Sequence, residues 1–398
     1  MVITNGFTFV AFLMCLAGVL LFAEKYTKSA VLKKVFSFVP PLVWIYVLNM
    51  VFCTLGWFNS EEVSSTYSSL KNPLLYAMIF VMLLRCDIKK LSKLGGRMIA
   101  IFLGGSLSIM LGFVVAFIIF KGSLGGGEVA WPAMAALCAS WIGGSGNMGA
   151  MQAAFPIDAG AYGCALAVDT VYYSVWIALL LIMVKHAHKW DKAVKADTSK
   201  LEAVAAAAKE VAGEKKKATS ADWVFIIGLA FAVSAFSNWI GGIANNALVS
   251  VGLNMFGSGT VITVFVTILG LVCAQTKLGK IPAVEELSSI LLYAVVSLLA
   301  SQASLTDLVS APMWIVAGLV VLVIHVVVYF ILSKIFHWDL CMVSTASLAN
   351  IGGSASAPIV ASAYNSAYAG IGVLMGVFGA AIGNFCGIIV AYIMQLFC

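Results

Sequence analysis

The sequence predicts an all-α polytopic membrane protein made of two inverted repeats, each with five transmembrane helices and one re-entrant hairpin. Of its 398 residues, 62% are hydrophobic and only 10% are charged, and the mean hydropathy is +1.04. A soluble chain of this length needs far more polar surface. The apolar residues form uncharged runs that approach the ~20 residues with which a helix crosses a bilayer. Soluble globular folds are therefore excluded.

Twelve apolar segments follow one another between the charged stretches, six on each side of a basic region. They cover residues 5–23, 39–57, 72–86, 98–120, 131–157, 160–184, 223–241, 257–275, 283–300, 312–335, 338–364 and 367–397. The first segment lacks the flanks of a removable signal peptide, so we expect it to remain as a span. We divide the chain into a first repeat (1–184), a basic cytoplasmic connector (185–222) and a second repeat (223–398).

Short matches between the two halves indicate an internal duplication. Ile142-Gly143-Gly144-Ser145 in the fifth segment recurs as Ile351-Gly352-Gly353-Ser354 in the eleventh, and the letters LLYA occur at both 74–77 and 291–294. The first match carries more weight because it falls at corresponding places in the two halves. Secondary carriers are commonly built from such repeats.

The distribution of Lys and Arg predicts how the segments cross the membrane. Suppose that 131–157 and 338–364 do not cross and that the N-terminus lies outside. Then 21 of the 23 Lys and Arg fall in cytoplasmic stretches, and only Lys71 and Lys121 lie outside. Positive residues concentrate in cytoplasmic loops. Both segments are therefore predicted to be re-entrant hairpins, which makes the second half an upside-down copy of the first.

Each predicted hairpin turns at a glycine pair, which we expect near the middle of the bilayer. Residues 131–142 would form about 18 Å of helix, enough to reach the midplane from the outer face. Backbone that leaves the helix at this depth must be buried or line a watery cavity. The return arms begin there, and helix N-termini attract anions. The predicted substrate-binding residues are Gly143, Gly144, Ser145, Gly146, Asn147, Asn350, Gly352, Gly353, Ser354 and Ser356.

A site for a coupling ion is predicted around Asp169, the only acidic residue of the segment 160–184. An ionisable group at membrane depth is costly and usually marks an ion or proton path. Thr170 follows it, and Asn384 is its counterpart by position in the last segment. Carboxylate, hydroxyl and amide oxygens suit Na⁺, so Asp169 and Asn384 form the predicted sodium site, whereas Asp169 alone could carry a proton. The competing interpretation is a structural aspartate held by neighbouring hydroxyls.

The sequence gives little support to nucleotide binding, metal binding or enzymatic catalysis. It contains no Walker motif, no His and Cys with metal-ligand spacing and no serine nucleophile elbow, so we expect no enzyme and no cofactor besides Na⁺ or H⁺ as the coupling ion. His325, alone in an apolar run, is interpreted as a satisfied interior histidine. The expected partners are a small-molecule substrate and membrane lipid, without nucleic acid.

The stretches ASWIGGSGNMGAMQAAF and ASLANIGGSASAPIVA resemble the YjcL-like family of bacterial membrane proteins. Paired glycine-rich hairpins in two inverted halves are also similar to the 2-hydroxycarboxylate carriers and sodium:glutamate symporters of the cation–proton antiporter and anion transporter superfamily. This resemblance implies a rigid scaffold, an elevator-type mobile core with both hairpins, and a homodimer. The second tip departs from the pattern, with Ala355 where the first has Gly146.

These patterns leave three hypotheses about function. The leading hypothesis is a secondary transporter in the bacterial cytoplasmic (inner) membrane that couples a small organic anion, amino acid or short peptide to Na⁺ by alternating access. The alternative is a Na⁺/H⁺ antiporter that uses Asp169 on the same architecture, and a passive channel or sensory module is a further alternative from a different class. Because every Lys and Arg is assigned to a connector or a span end, anions would bind at helix ends. That favours a zwitterion, a monocarboxylate or a short peptide over citrate.

Overall fold

The structure, a computed structural model, describes residues 2–87, 95–197, 217–250, 257–303, 311–365 and 368–398, which form sixteen α-helices and no strand. The helices are α1 (Gly6–Tyr26), α2 (Ala30–Phe38), α3 (Pro41–Thr54), α4 (Glu61–Leu83), α5 (Gly95–Phe120), α6 (Gly127–Gly143), α7 (Ser145–Ala154), α8 (Ala159–Met183), α9 (Ala187–Val194), α10 (Ser220–Ser250), α11 (Ser258–Ala274), α12 (Val284–Ala300), α13 (Ala311–Phe336), α14 (Leu340–Ile351), α15 (Gly353–Tyr364) and α16 (Ala369–Gln395). The predicted all-α class is confirmed.

Every predicted apolar segment corresponds to one helix or to one broken pair of helices. The pairs are α6–α7 and α14–α15, in the two segments predicted as hairpins, and we call them the first and second hairpin; their re-entrant course in the membrane stays a prediction. Among the described residues, six helices are long and apolar enough to cross a membrane: α1, α5, α8, α10, α13 and α16. The other predicted spans are shorter (α3, α11, α12) or begin with charged residues (α4). The protein is a polytopic membrane protein, and the count of ten full crossings stays a prediction.

Two helices begin earlier than the apolar pattern predicted. α4 begins at Glu61, where the Ser60 hydroxyl accepts a hydrogen bond from the Val63 N–H (3.3 Å). The first hairpin arm, α6, begins at Gly127 and has 17 residues instead of the twelve predicted. A capping residue or a short polar turn can start a helix ahead of its apolar stretch. A prediction from hydropathy alone does not detect such a start.

A short helix, α2, precedes the second segment, where the sequence indicated only a basic cytoplasmic stretch. It begins after Ser29, whose hydroxyl accepts a hydrogen bond from the Leu32 N–H (3.4 Å). The axes of Ala30–Phe36 and Pro41–Thr54 differ by 86°. Two consecutive prolines separate them, and a proline ring prevents the helix from continuing straight through. The chain therefore turns sharply just before α3.

The first hairpin lies at the centre of the protein. All residues of 130–142 are buried, and α6 packs against α16, α5, α8 and α7. Equivalent helices of the two halves also pack together, α4 against α12 and α5 against α13. A broken helix needs such cover because its freed backbone groups cannot face lipid. The fold thus supplies a protein environment for the first break.

One helix, α16, contacts both hairpins through closely packed glycines. A Cβ on Gly379 would overlap the Ile142 carbonyl of the first hairpin, and a Cβ on Gly376 would overlap the backbone nitrogen of Ser354 in the second. Small residues let helix backbones approach closely in membranes. Both hairpins therefore pack on one continuous surface.

Residues 185–197, the described part of the predicted connector, lie against the start of the second hairpin and are joined to it by hydrogen bonds. The Arg97 guanidinium of α5 donates hydrogen bonds to the Asp197 carboxylate (2.9 Å) and to the His337 carbonyl (2.8 Å). Close by, the Asp191 carboxylate accepts a hydrogen bond from the Leu340 N–H (2.9 Å). These bonds fasten α5, α9 and α14 together at one end of the protein.

Part of the predicted organisation lies outside the described residues. One such stretch is 198–216, which is half of the predicted connector. Another is 88–94, which contains three of the Lys and Arg residues counted above. The division into 1–184, 185–222 and 223–398 therefore stays a prediction.

Candidate functional site

Each hairpin breaks at a glycine with a positive φ angle. α6 ends at Gly143 and α7 begins at Ser145, and Gly144 between them has φ 94° and ψ 174°. α15 begins at Gly353, which has φ 68°. The first conformation is essentially confined to glycine, and the second is strained for residues that carry a Cβ. The two helix breaks thus fall on the two glycine pairs.

The return arms α7 and α15 start without a side-chain cap. Their N-cap residues are Gly144 and Gly352, and the helices have 10 and 12 residues. An uncapped N-terminus exposes backbone N–H donors and the equivalent of about half a positive charge. Both tips therefore present groups that can bind an anionic or carbonyl-bearing ligand.

A cavity of about 210 Å³ lies between the two tips, α8 and the start of α3. It is lined by Pro40, Leu42, Val43, Ser140, Gly144, Ser145, Leu166, Asp169, Thr170, Tyr173, Ile351 and Gly352. Three of the predicted substrate residues line it, namely Gly144, Ser145 and Gly352. Two of the predicted ion residues, Asp169 and Thr170, line it as well. One cavity therefore joins both tips to the acidic residue of α8.

Asp169 places a carboxylate in the wall of this cavity, and no positively charged side chain lies beside it among the described lining residues. Its Oδ1 atom is buried without a hydrogen-bond partner among the described residues. The Ser140 hydroxyl and the Trp141 indole face the carboxylate, but neither meets hydrogen-bond geometry. The Thr170 hydroxyl donates to the Leu166 carbonyl of its own helix (3.0 Å). Because no Lys or Arg is among the described lining residues, a cation or a donor-bearing ligand is the natural complement.

The structure does not bring Asn384 into the cavity that Asp169 lines. The Asn384 side-chain carbonyl accepts a hydrogen bond from the Asn147 amide (2.9 Å), and its own amide donates to the Thr267 hydroxyl (3.1 Å). Asn147 donates a second bond to the Ala380 carbonyl (3.1 Å). Both asparagines are buried. They form a polar bridge between α7, α16 and α11, behind the first tip.

Two polar residues predicted at the second tip are hydrogen-bonded within the protein. The Asn350 carbonyl accepts from the Ser106 hydroxyl of α5 (2.8 Å), and its amide donates to the Ala346 carbonyl (2.9 Å). The Ser356 hydroxyl donates to the Gly352 carbonyl across the break (2.5 Å). Neither side chain lines the cavity. Their bonds hold the second hairpin in shape.

The remaining predicted tip residues also lie outside the cavity lining; they are Gly143, Gly146, Gly353 and Ser354. A Cβ on Gly143 would overlap the Asn147 side chain, and one on Gly146 would overlap the Met82 sulfur of α4. These two glycines therefore allow close packing of the first hairpin on its neighbours.

Glycine at positions 144 and 353 has two possible physical reasons, which are the freedom of φ that a sharp turn needs and room for a ligand or another backbone to come close. In the structure, a Cβ at either position meets no atom within 4 Å. The requirement comes from the backbone conformation, because the φ angle at each position disfavours residues with a Cβ.

Sequence reasoning did not assign three parts of the cavity wall to the site. Ser140 lies one helical turn before Gly144, so its helical spacing was a usable signal. Tyr173 lies one turn after Asp169 on α8 and could have been found in the same way. Pro40 and its neighbours in α3 reach the cavity only through tertiary packing, which no local pattern reveals.

The comparisons with known proteins identify the family of this chain. The family described as "Protein of unknown function (DUF819)" matches residues 11–397. "Uncharacterized membrane protein YjcL" of Bacillus subtilis (strain 168) is 25% identical over 359 residues, which cover 85% of each chain. The resemblance to the YjcL-like family is thus confirmed. The chain belongs to the DUF819 family.

Proposed function

We propose that the protein is an ion-coupled secondary transporter whose substrate binds between the two hairpin tips. The observation that carries this proposal is the single cavity of about 210 Å³ lined by Gly144 of one hairpin, Gly352 of the other and Asp169 of α8. Broken helices that meet at a polar cavity are the usual binding sites of such carriers. The Asp169 carboxylate, whose Oδ1 atom is buried, supports coupling to Na⁺ or H⁺.

The transport cycle we propose rests on inverted repeats. The pairwise packing of α4 with α12 and of α5 with α13 supports this arrangement, because these helices hold the same positions in the two halves. In such a repeat the two hairpins reach the cavity from opposite membrane faces. Movement of the hairpin core against the remaining helices would then expose the cavity to each side in turn.

The charges at the cavity narrow the proposed substrate class. Asp169 contributes one negative charge, and each helix N-terminus contributes about half a positive charge. A bound Na⁺ or H⁺ would neutralise the carboxylate, leaving about one positive unit at the tips for one carboxylate of the substrate. We therefore propose a zwitterion, a monocarboxylate or a short peptide, and not a tricarboxylate.

A second candidate function is Na⁺/H⁺ exchange. It is favoured by one observation, that the Asp169 Oδ1 atom has no hydrogen-bond partner among the described residues. A carboxylate oxygen without a hydrogen-bond partner can exchange a proton for a cation without breaking a protein hydrogen bond. In this case the tips would serve as gates and no organic solute would bind.

Ligand binding to the purified full-length protein tests the proposal. Thermal unfolding and calorimetry are followed in Na⁺ and in K⁺ buffer with amino acids, monocarboxylates, short peptides and citrate. We expect Na⁺-dependent stabilisation by members of the first three classes. Binding of citrate at pH 8, with all the others inert, would contradict the charge argument. Counterflow of the bound solute in proteoliposomes then establishes transport, whereas Na⁺/H⁺ exchange without any organic ligand would favour the second candidate.

A further inference from the structure

A second cavity lies beside the second hairpin, apart from the cavity between the tips. It measures about 240 Å³ and is bounded by α8, α9, α13 and α14. Three aromatic side chains line it, Trp176, Trp190 and Tyr329. Leu179 and Val326 also line it, and 45% and 42% of their surfaces remain exposed. Since both belong to apolar spanning helices, the cavity opens sideways between α8 and α13 toward the lipid.

The polar groups in the wall of this cavity are hydrogen-bonded within the protein. The Trp176 indole donates to the Ser347 hydroxyl (2.9 Å), which lies 2.8 Å from Nε2 of His325. On the other side, Nδ1 of His325 lies 2.6 Å from the Ser108 hydroxyl, which donates to the Gly105 carbonyl (2.6 Å). This chain of bonds uses both ring nitrogens. An apolar cavity of about 150 Å³ already stays dry and takes apolar guests, so this larger one suits a hydrocarbon ligand.

Exposed lysines lie close in the chain to one end of the cavity. Lys185 and Lys189 precede Trp190, a residue of the cavity wall, in the segment that follows α8. Lys334, in the last turn of α13, has its ammonium 5.9 Å from the Phe330 ring, and that ring lies 5.3 Å from the Trp190 ring. The positive charges are therefore gathered where the aromatic wall of the cavity ends.

Two acidic residues, Asp191 and Asp339, lie near this end of the cavity, and each accepts a hydrogen bond from an N–H group of the second hairpin. Asp191 accepts a hydrogen bond from the Leu340 N–H (2.9 Å), which turns its carboxylate toward the second hairpin. Residues 185–195 contain four lysines and this single aspartate. The segment keeps a clear positive excess next to the cavity, as expected of a surface that attracts anionic headgroups.

We propose that this cavity and its lysines form a binding site for one anionic phospholipid. An acyl chain occupies the dry space between α8 and α13, and the phosphate lies among Lys185, Lys189 and Lys334. Because α14 forms one wall of the cavity, a chain bound there packs directly against the first arm of the second hairpin. An anionic lipid would therefore stabilise one position of that hairpin.

Thermal unfolding of the purified full-length protein in detergent tests the site. We expect phosphatidylglycerol to raise the unfolding temperature more than phosphatidylcholine does, and inorganic phosphate to have no effect. The triple variant Lys185→Gln, Lys189→Gln, Lys334→Gln should bind phosphatidylglycerol about 100-fold more weakly, since each lysine near the membrane surface contributes separately. Stabilisation by inorganic phosphate alone would overturn the lipid assignment, as the lysines would then bind a free anion.

A matched control distinguishes lipid binding at this site from a general attraction of anionic lipid to basic residues. Lys25→Gln, Lys28→Gln, Lys33→Gln removes three exposed lysines near another stretch of the chain and should leave the lipid preference unchanged. If both triple variants weakened binding equally, the proposal would fail.

Two further variants test the place of the acyl chain. Val343→Phe adds bulk inside the cavity, and Leu179→Trp adds bulk at its lipid-facing opening, where folding tolerates a large side chain. Both should lose the preference for phosphatidylglycerol. Val316→Phe on the exposed face of α13, outside the cavity, should retain it. An unchanged preference in both filled variants would overturn the proposed site.

Discussion

The side-chain amide of Asn147 donates a hydrogen bond of 2.9 Å to the side-chain carbonyl of Asn384, and so joins the first return arm to α16. We expect Asn384→Leu to lower the free energy of unfolding by about 1–3 kcal/mol, because the buried Asn147 amide loses an acceptor and the Thr267 hydroxyl loses its donor. Denaturant unfolding in detergent measures the loss. Asn59→Leu, at an exposed position, should change the stability by less than about 0.5 kcal/mol.

The two break glycines should be sensitive to alanine although there is room for its methyl group. We expect Gly144→Ala and Gly353→Ala each to lower the stability by about 1–3 kcal/mol through backbone strain alone. Gly228→Ala is the matched control, because this glycine lies inside α10 and a Cβ there also meets nothing within 4 Å. It should be neutral or stabilising by about 0.5–1 kcal/mol. Equal effects at all three positions would contradict the strain argument.

Asp169→Asn should abolish the response to Na⁺ and leave the protein folded. The amide has nearly the shape of the carboxylate, and only the charge is lost. The measurement is the shift in unfolding temperature between Na⁺ and K⁺ buffer. Asp158→Asn, the N-cap of the same helix, should keep the full shift because asparagine also caps helices well. A Na⁺ response retained in Asp169→Asn would return this residue to a structural role.

Impermeant thiol labelling tests the predicted inverted topology. Trp338 is a natural choice at the start of the second hairpin, but the structure shows its side chain buried, so the exposed Phe336 is the better position. In a background that lacks the exposed Cys15 and Cys398, Pro156→Cys should label from outside and Phe336→Cys only after the membrane is opened. Labelling of both from the same face would rule out two inverted hairpins.

Local sequence patterns were sufficient for the apolar helices and for the two breaks, but not for α2 or for the early starts of α4 and α6. The glycine pairs could be found because a sharp turn inside an apolar run has few other solutions, and Gly144 and Gly353 are indeed the residues with positive φ. The pairing of Asn147 with Asn384 could not be found, since it joins helices far apart in sequence. The same holds for Pro40, which reaches the cavity only because α2 and α3 meet at a sharp angle.

The packing of α6 against α16 also has a consequence for biosynthesis. The hydrogen bond from Asn147 of the neighbouring arm α7 to Asn384 of α16 joins residues 237 positions apart. At a typical translation rate of about 5–20 residues per second, the first hairpin is made about 10 to 50 s before the helix that covers it. During this interval its broken backbone has no α16 to exclude lipid, so the insertion machinery or the first-repeat helices must shelter it. We therefore expect the first hairpin to be prone to misassembly when translation stalls before α16 is made.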